Sequence, residues 1–219
     1  MVNDKLEKVK NAYNSFTWWY DLRGFFILKL AYRDTLMRQV RFFSQNTEGH
    51  HLEAAIGTGT LTHMVYLYSV YILRKSRWTG FGFDYSDEML SGAKKRFKME
   101  DFKLINADVG NLQFKNDEFD TISVANSLHC FPDLDLALKE LFRVLKPHGR
   151  IYINVILHPV GNGVLARIAR RVNSWGMKKG ILYKPYYQNE IMDAFNMCGF
   201  RIRFTERVGN SLNLIAEKP

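Results

Sequence analysis

The chain has 219 residues and a net charge of +9, with 47% apolar, 24% charged and 14% aromatic residues. That length suits one compact domain with a full hydrophobic core and leaves two independent domains cramped. Only Cys130 and Cys198 are present and they form no CxxC pair, which fits a reducing cytoplasm and argues against a zinc site or a disulfide framework. The charge favours anionic partners such as nucleic acid or phospholipid, although runs such as Arg74-Lys75-Ser76-Arg77 and Lys94-Lys95-Arg96 suit solvated surfaces equally well.

In chain order, Met1 to Lys8 is charged and mixed in sign, unlike a signal peptide. Trp18, Trp19 and Tyr20 stand together in a segment 1–48 expected to form a helical cap. Residues 51–56 are a short apolar run ending in Gly57-Thr58-Gly59, and Thr60 to Leu73 reads as a helix. Its apolar stretch from Met64 is about half the length a membrane span needs. Thr79 to Asp84 is a second strand, and Ser86 is placed to cap the helix carrying Met89, Leu90 and Ala93. Lys103 to Ala107 and Thr121 to Ala125 are further strands. Pro132 to Leu145 is an amphipathic helix ended by Lys146-Pro147-His148-Gly149, and Arg150 to Leu157 is a fifth strand. Asn189 to Cys198 is a last helix, after which Phe200 to Arg207 and Leu212 to Glu217 form a hairpin about Val208-Gly209-Asn210-Ser211.

This alternation predicts a Rossmann-like α/β fold: a mostly parallel seven-stranded sheet, helices on both faces, and a C-terminal antiparallel hairpin. Such sheets bind ligands beyond the carboxyl ends of their strands, which directs attention to Gly57-Thr58-Gly59. Asp84 closes the next strand, where a carboxylate can accept hydrogen bonds from both ribose hydroxyls. Nicotinamide enzymes share that device, but their GxGxxG needs a third glycine, and Thr60, Leu61 and Thr62 follow Gly59 here. Glu53, at the end of the first strand, repels a pyrophosphate and suits a cationic amino-acid end.

Leu52 to Gly59 resembles the first motif of class I S-adenosylmethionine-dependent methyltransferases, and Gly82 to Leu90 the second. Asn106-Ala107-Asp108-Val109 resembles the segment that caps the adenine, Phe119 to His129 the fourth strand with its substrate-facing loop, and Glu140 to Gly149 the helix and turn before the fifth strand. The resemblance places S-adenosylmethionine, with S-adenosylhomocysteine as its product, against Tyr20, Glu53, Ala55, Gly57, Thr58, Gly59, Asp84, Tyr85, Met89, Asp108, Val109, Ala125 and Asn126. The family usually has glycine where Ala55 stands, so its methyl is expected to narrow the space beside the methionine moiety. Ala12-Tyr13, Trp19-Tyr20-Asp21, Lys184-Pro185-Tyr186-Tyr187 and Gly199-Phe200 are similar to segments of the ubiquinone/menaquinone-biosynthesis methyltransferases. By that likeness Tyr20 covers the methionine end; Trp18, Trp19 and Tyr20 also read simply as core aromatics.

The loop Asn126-Ser127-Leu128-His129 lacks the Pro-Pro-aromatic pattern of nucleic-acid amino methyltransferases and the acidic magnesium ligand of catechol-type enzymes. The expected enzyme therefore uses no metal and methylates a small, aromatic or lipophilic acceptor. His129 is the candidate proton acceptor, equally readable as a hydrogen-bonding wall residue, and His158 is a second candidate. The insertion 159–184 has Val164, Leu165, Ile168, Val172 and Trp175 on one helical face and Arg167, Arg170, Arg171 and Ser174 on the other. It reads as a lid hinged at Gly161, Gly163, Gly176 and Gly180, and its basic helix at 164–175 also suits peripheral contact with an anionic membrane. The expected layout is a single methyltransferase domain over 1–219: cap 1–48, cofactor-binding core 49–158, lid 159–184, and C-terminal helix and hairpin 185–219. Two other readings stay open, an RNA or DNA methyltransferase motivated by the charge and a cofactor-binding interaction module without turnover.

Overall fold

The computed structural model describes residues 27–97, 101–179 and 182–219. Tyr13, Trp18, Trp19, Tyr20 and Gly180 lie outside them. Seven strands form one sheet: β1 (His50–Ala54), β2 (Thr79–Asp84), β3 (Phe102–Asn106), β4 (Phe119–Ala125), β5 (Leu145–Ile156), β6 (Arg201–Val208) and β7 (Ser211–Glu217). Their order is β3-β2-β1-β4-β5-β7-β6. The first five are parallel, and the β6–β7 hairpin adds β7 antiparallel to β5, as the strand–helix alternation implies.

Local chemistry accounts for the element ends. Thr35 caps α1 (Leu36–Asn46), Ser86 caps α3 (Asp87–Arg96) and Asp133 caps α4 (Leu134–Val144), each side chain accepting the N–H three residues on. Helix α2 (Thr60–Leu67) starts at Gly59 and passes into a π-helical turn at Tyr68–Ile72. Helices α5 (Val164–Lys178) and α6 (Gln188–Met197) complete the α-helices among the described residues. Lys146-Pro147-His148-Gly149 does end the helix, but it does so inside β5. Leu145 pairs with Phe119 and Arg150 with Thr121, so the four residues bulge out opposite Asp120, with His148 at φ +62°.

The main core lies between the sheet and α4 and α6. It joins Ile122, Val124, Ile151 and Ile153 of the central strands to Leu138, Leu141, Ile191 and Phe195. A second cluster on the far side gathers Trp78, Tyr66, Leu90 and Phe102. Helix α5 turns its small side chains inward. Its buried residues are the small Ala166, Ala169, Asn173 and Gly176, whereas Val164, Leu165, Ile168 and Trp175 are exposed. Small side chains let the helix approach Leu28, Tyr32 and Ile156 closely, and close packing there outweighs burial of the larger residues. A Cβ on Gly176 would lie 3.2 Å from Leu182, so this glycine permits close packing there.

Candidate active site

The carboxyl ends of the parallel strands open into a cavity of about 320 Å³. Its walls come from the ends of β1 to β3 on one side and of β4 and β5 on the other, closed by α1, α5 and the segment at residues 27–32. Of the residues singled out in the sequence, Glu53, Ala55, Gly57, Thr58, Asp84, Tyr85, Met89, Asp108, Val109, Ala125, Asn126 and His129 all line it.

Gly59 does not. It stands at φ +73°, where a Cβ would meet the Phe97 ring at 2.9 Å and Ala93 at 3.2 Å. The second glycine of the turn is thus explained by helix packing and a left-handed backbone. A Cβ at Gly57, in contrast, would project into open space; that glycine keeps the loop clear beside the cavity. Ala55 takes the left-handed conformation too, φ +53°, one that glycine adopts without the cost a Cβ adds.

Asp84 is held by the turn it faces. Its Oδ2 accepts the Gly57 N–H at 2.8 Å and its Oδ1 the Ser86 N–H at 2.9 Å. Burial nevertheless raises its pKa above the usual carboxylate value, outweighing the backbone donors. A vicinal diol would add two more donors at this carboxylate, so the residue fits a ribose. Asp108, at the next strand end, accepts the Gly110 N–H at 2.9 Å and fixes the turn that presents Val109.

Glu53 is 4% exposed and accepts a hydrogen bond from Ser123 Oγ at 2.6 Å. Behind it lies His51, with Nε2 2.9 Å from Ser123 Oγ and Nδ1 2.9 Å from Thr121 Oγ1. Thr121 donates to the Glu48 carbonyl, so both hydroxyls donate away from the ring. The ring thus links Thr121 and Ser123 behind the carboxylate, with Nε2 3.7 Å from Glu53 Oε2. A buried carboxylate on the cavity wall suits a cationic ligand group. Asp84, Glu53 and the open space at Gly57 together fit S-adenosylmethionine, which carries a ribose diol, a sulfonium and an ammonium.

His129 is buried, and among the described residues its Nδ1 has no hydrogen-bond partner. Desolvation pushes its pKa down to about 3, which keeps the imidazole neutral and makes it a weak base. His158 lies outside the cavity lining and stacks on Tyr187 at 4.2 Å between ring centroids.

Gln39 is the residue that the sequence reading missed. It sits on the buried face of α1 with Val40 and Phe43, lines the cavity, and exchanges hydrogen bonds with Asn126 at 3.0 and 2.7 Å. A glutamine at a periodic core position was its available signal, since buried polar groups require partners. Ile27, Leu28, Leu36, Phe131, Ile156 and Leu182 add apolar wall that no motif marks.

Residues 52–153 match the model of the methyltransferase domain family. The ubiquinone/menaquinone biosynthesis C-methyltransferase of Rickettsia felis is 29% identical over 159 residues, covering 68% of this chain and 58% of that protein. The demethylmenaquinone methyltransferase of Staphylococcus saprophyticus is 42% identical over 71 residues, covering 32% of this chain and 30% of its own. The chain thus spans less than two thirds of the length of these relatives. Among solved structures, the methyltransferase in complex with the Trm112 activator from Haloferax volcanii superposes with a TM-score of 0.68 at 18% identity, over 92% of this chain and 96% of that one. Sheet order, motif order and the matched model agree: residues 52–153 are similar to the methyltransferase domain of class I S-adenosylmethionine-dependent enzymes, among them the ubiquinone/menaquinone-biosynthesis C-methyltransferases.

Proposed function

We propose that this protein transfers a methyl group from S-adenosylmethionine to a small lipophilic acceptor of quinone type. The observation that carries this reading is a cavity in which a polar strand-end wall (Glu53, Asp84, Asp108) meets an apolar one (Phe131, Ile156, Trp175, Leu182). The names of the curated relatives supply the acceptor class.

In this reading Asp84 holds the ribose hydroxyls, Glu53 faces the cationic amino-acid end, and Val109 and Met89 pack against the adenine. The bound cofactor supplies an electrophilic methyl group, and the protein's share is orientation and exclusion of water. Asn126, at φ +54°, is held by Gln39 at the mouth of β4, between the two walls. We assign His129 to the acceptor's polar group. Neutral and buried, it hydrogen-bonds a hydroxyl and takes up a proton only from an acceptor acidic enough to release one. No metal enters this scheme, and one domain supplies the whole site.

The test has two stages. Calorimetric titration with S-adenosylmethionine and S-adenosylhomocysteine should show binding that Asp84→Ala weakens at least tenfold. Incubation with methyl-labelled cofactor and reduced demethylmenaquinone in detergent should then give a labelled, solvent-extractable product. Cofactor binding without transfer to the quinone would sink the acceptor class alone. Absence of cofactor binding would sink the whole reading.

A further inference from the structure

Helix α5 turns its small residues inward and leaves an ordered outer face. Val164, Ile168 and Trp175 form one row at spacings of four and seven residues and are 62%, 38% and 40% exposed. A second row, Arg167, Arg171 and Lys178, repeats the same spacing beside it, and all three are exposed. Val160, just before the helix, is 70% exposed. From Pro159 to Asn189 the chain contains Arg167, Arg170, Arg171, Lys178, Lys179 and Lys184 and no acidic residue.

We propose that this face of α5 docks the protein on the surface of an anionic phospholipid bilayer. An apolar row flanked by a basic row is the pattern of a helix lying in the membrane interface, its large side chains among the acyl chains and its cations among the phosphates. No helix among the described residues is long and apolar enough to cross a membrane, so the contact is with one leaflet. Charge separates this partner from the others. In a two-fold contact between copies the basic rows would face each other with no carboxylate in the segment to pair them. A nucleic acid would satisfy the cations but leave Val164, Ile168 and Val160 in water.

The inference goes beyond methyl transfer, because docking needs no acceptor and is measured without one. Its consequence for the site rests on the proposed function: Trp175 and Val172 also line the cavity, so the helix that meets the bilayer is the one that walls the acceptor's place.

The experiment is co-sedimentation of the full chain with vesicles of phosphatidylcholine, with and without phosphatidylglycerol. The expected result is binding to the anionic vesicles only, weakening as salt rises. Replacing Arg167, Arg171 and Lys178 together by Gln should lower the partition constant on the order of 100-fold, about fivefold for each charge. Val164→Gln with Ile168→Gln should abolish the binding that persists at high salt, while circular dichroism and cofactor titration stay unchanged. The proposal is overturned by failure to bind anionic vesicles or by equal binding of the charge-neutralised variant. It is overturned equally by light scattering in which Val164→Gln with Ile168→Gln splits a dimer, or by salt-sensitive retention of an RNA oligonucleotide with vesicles ignored.

Discussion

His129 shows how one buried side chain ties stability to pH. Its folded pKa of about 3 lies below the ordinary 6.5 of a free imidazole because burial disfavours the imidazolium. Between those values the unfolded chain holds a proton that the folded chain lacks. Stability therefore falls as pH drops below 6.5, by at most about 1.4 kcal/mol per pH unit from this group. Substituting His129→Phe should remove that slope. Denaturant midpoints at pH 7 and pH 5 should show the parent losing about 2 kcal/mol more than the variant over the interval. Parallel losses would mean that the imidazole is solvated, and with it the argument for a neutral wall residue would go. At this scale the motif residues were legible, because each sits at the C-terminal end of its strand and a local pattern suffices to find it. Ala55 and Gly59 were less so. Their positive φ angles and the contact with Phe97 are properties of the folded turn, and a GxG string does not distinguish a glycine that clears a ligand from one that clears a phenyl ring.

Among the elements, α4 is fastened to the loop between β3 and β4 by Arg143. Its guanidinium makes a bidentate pair with Glu140 at 2.8 Å, and also bonds the carbonyls of Leu112 at 2.9 Å and Phe114 at 2.8 Å. Glu140 in turn accepts the Leu112 N–H at 2.8 Å. Hydrogen bonding to Arg143 holds the Glu140 carboxyl below its ordinary pKa, so this contribution is present above the unfolded value and is lost as pH falls through the folded one. Arg143→Met should strand a half-buried carboxylate and two carbonyls at a cost of about 2–4 kcal/mol. A lowering of the melting temperature by roughly 4–16 °C checks this, and an unchanged melting curve would show the loop to be held by its apolar contacts alone. Caps and strand periodicity made α3, α4 and the hairpin readable in advance. Helix α5 was readable as a helix but not in its orientation. Side-chain size favours burying Val164 and Ile168, whereas the face that packs near Leu28 and Tyr32 carries Ala169 and Val172, and nothing within residues 159–184 encodes that neighbour.

Across the whole molecule, a chain of buried amides joins α1 to the β6–β7 hairpin. Gln39 Nε2 lies 3.1 Å from Asp34 Oδ2, 3.0 Å from Asn126 Oδ1 and 3.2 Å from Asn154 Oδ1; an amide has two hydrogens, so these contacts share donors. Asn154 donates to Asn213 at 2.6 Å, and Asn213 to Glu206 at 3.2 Å. Asn154, Asn213 and Glu206 are direct partners across β5, β7 and β6, so the register of the antiparallel hairpin and the seat of α1 depend on one network. Such a network is costly to leave half satisfied. Gln39→Leu and Asn213→Leu should each destabilise by about 2–3 kcal/mol. Their effects should not add, because Asn154 connects them: once its partner at one end is gone, the amide can turn to serve the other. A double-mutant cycle by chemical denaturation should give a coupling of about 0.5 kcal/mol or more between residues on opposite sides of β5, and additivity within about 0.3 kcal/mol would show two independent polar patches instead. The same cycle read by cofactor titration separates structure from site. Gln39 and Asn126 line the cavity and Asn213 does not, so Gln39→Leu should weaken binding, while Asn213→Leu should do so only to the extent that the network transmits its loss.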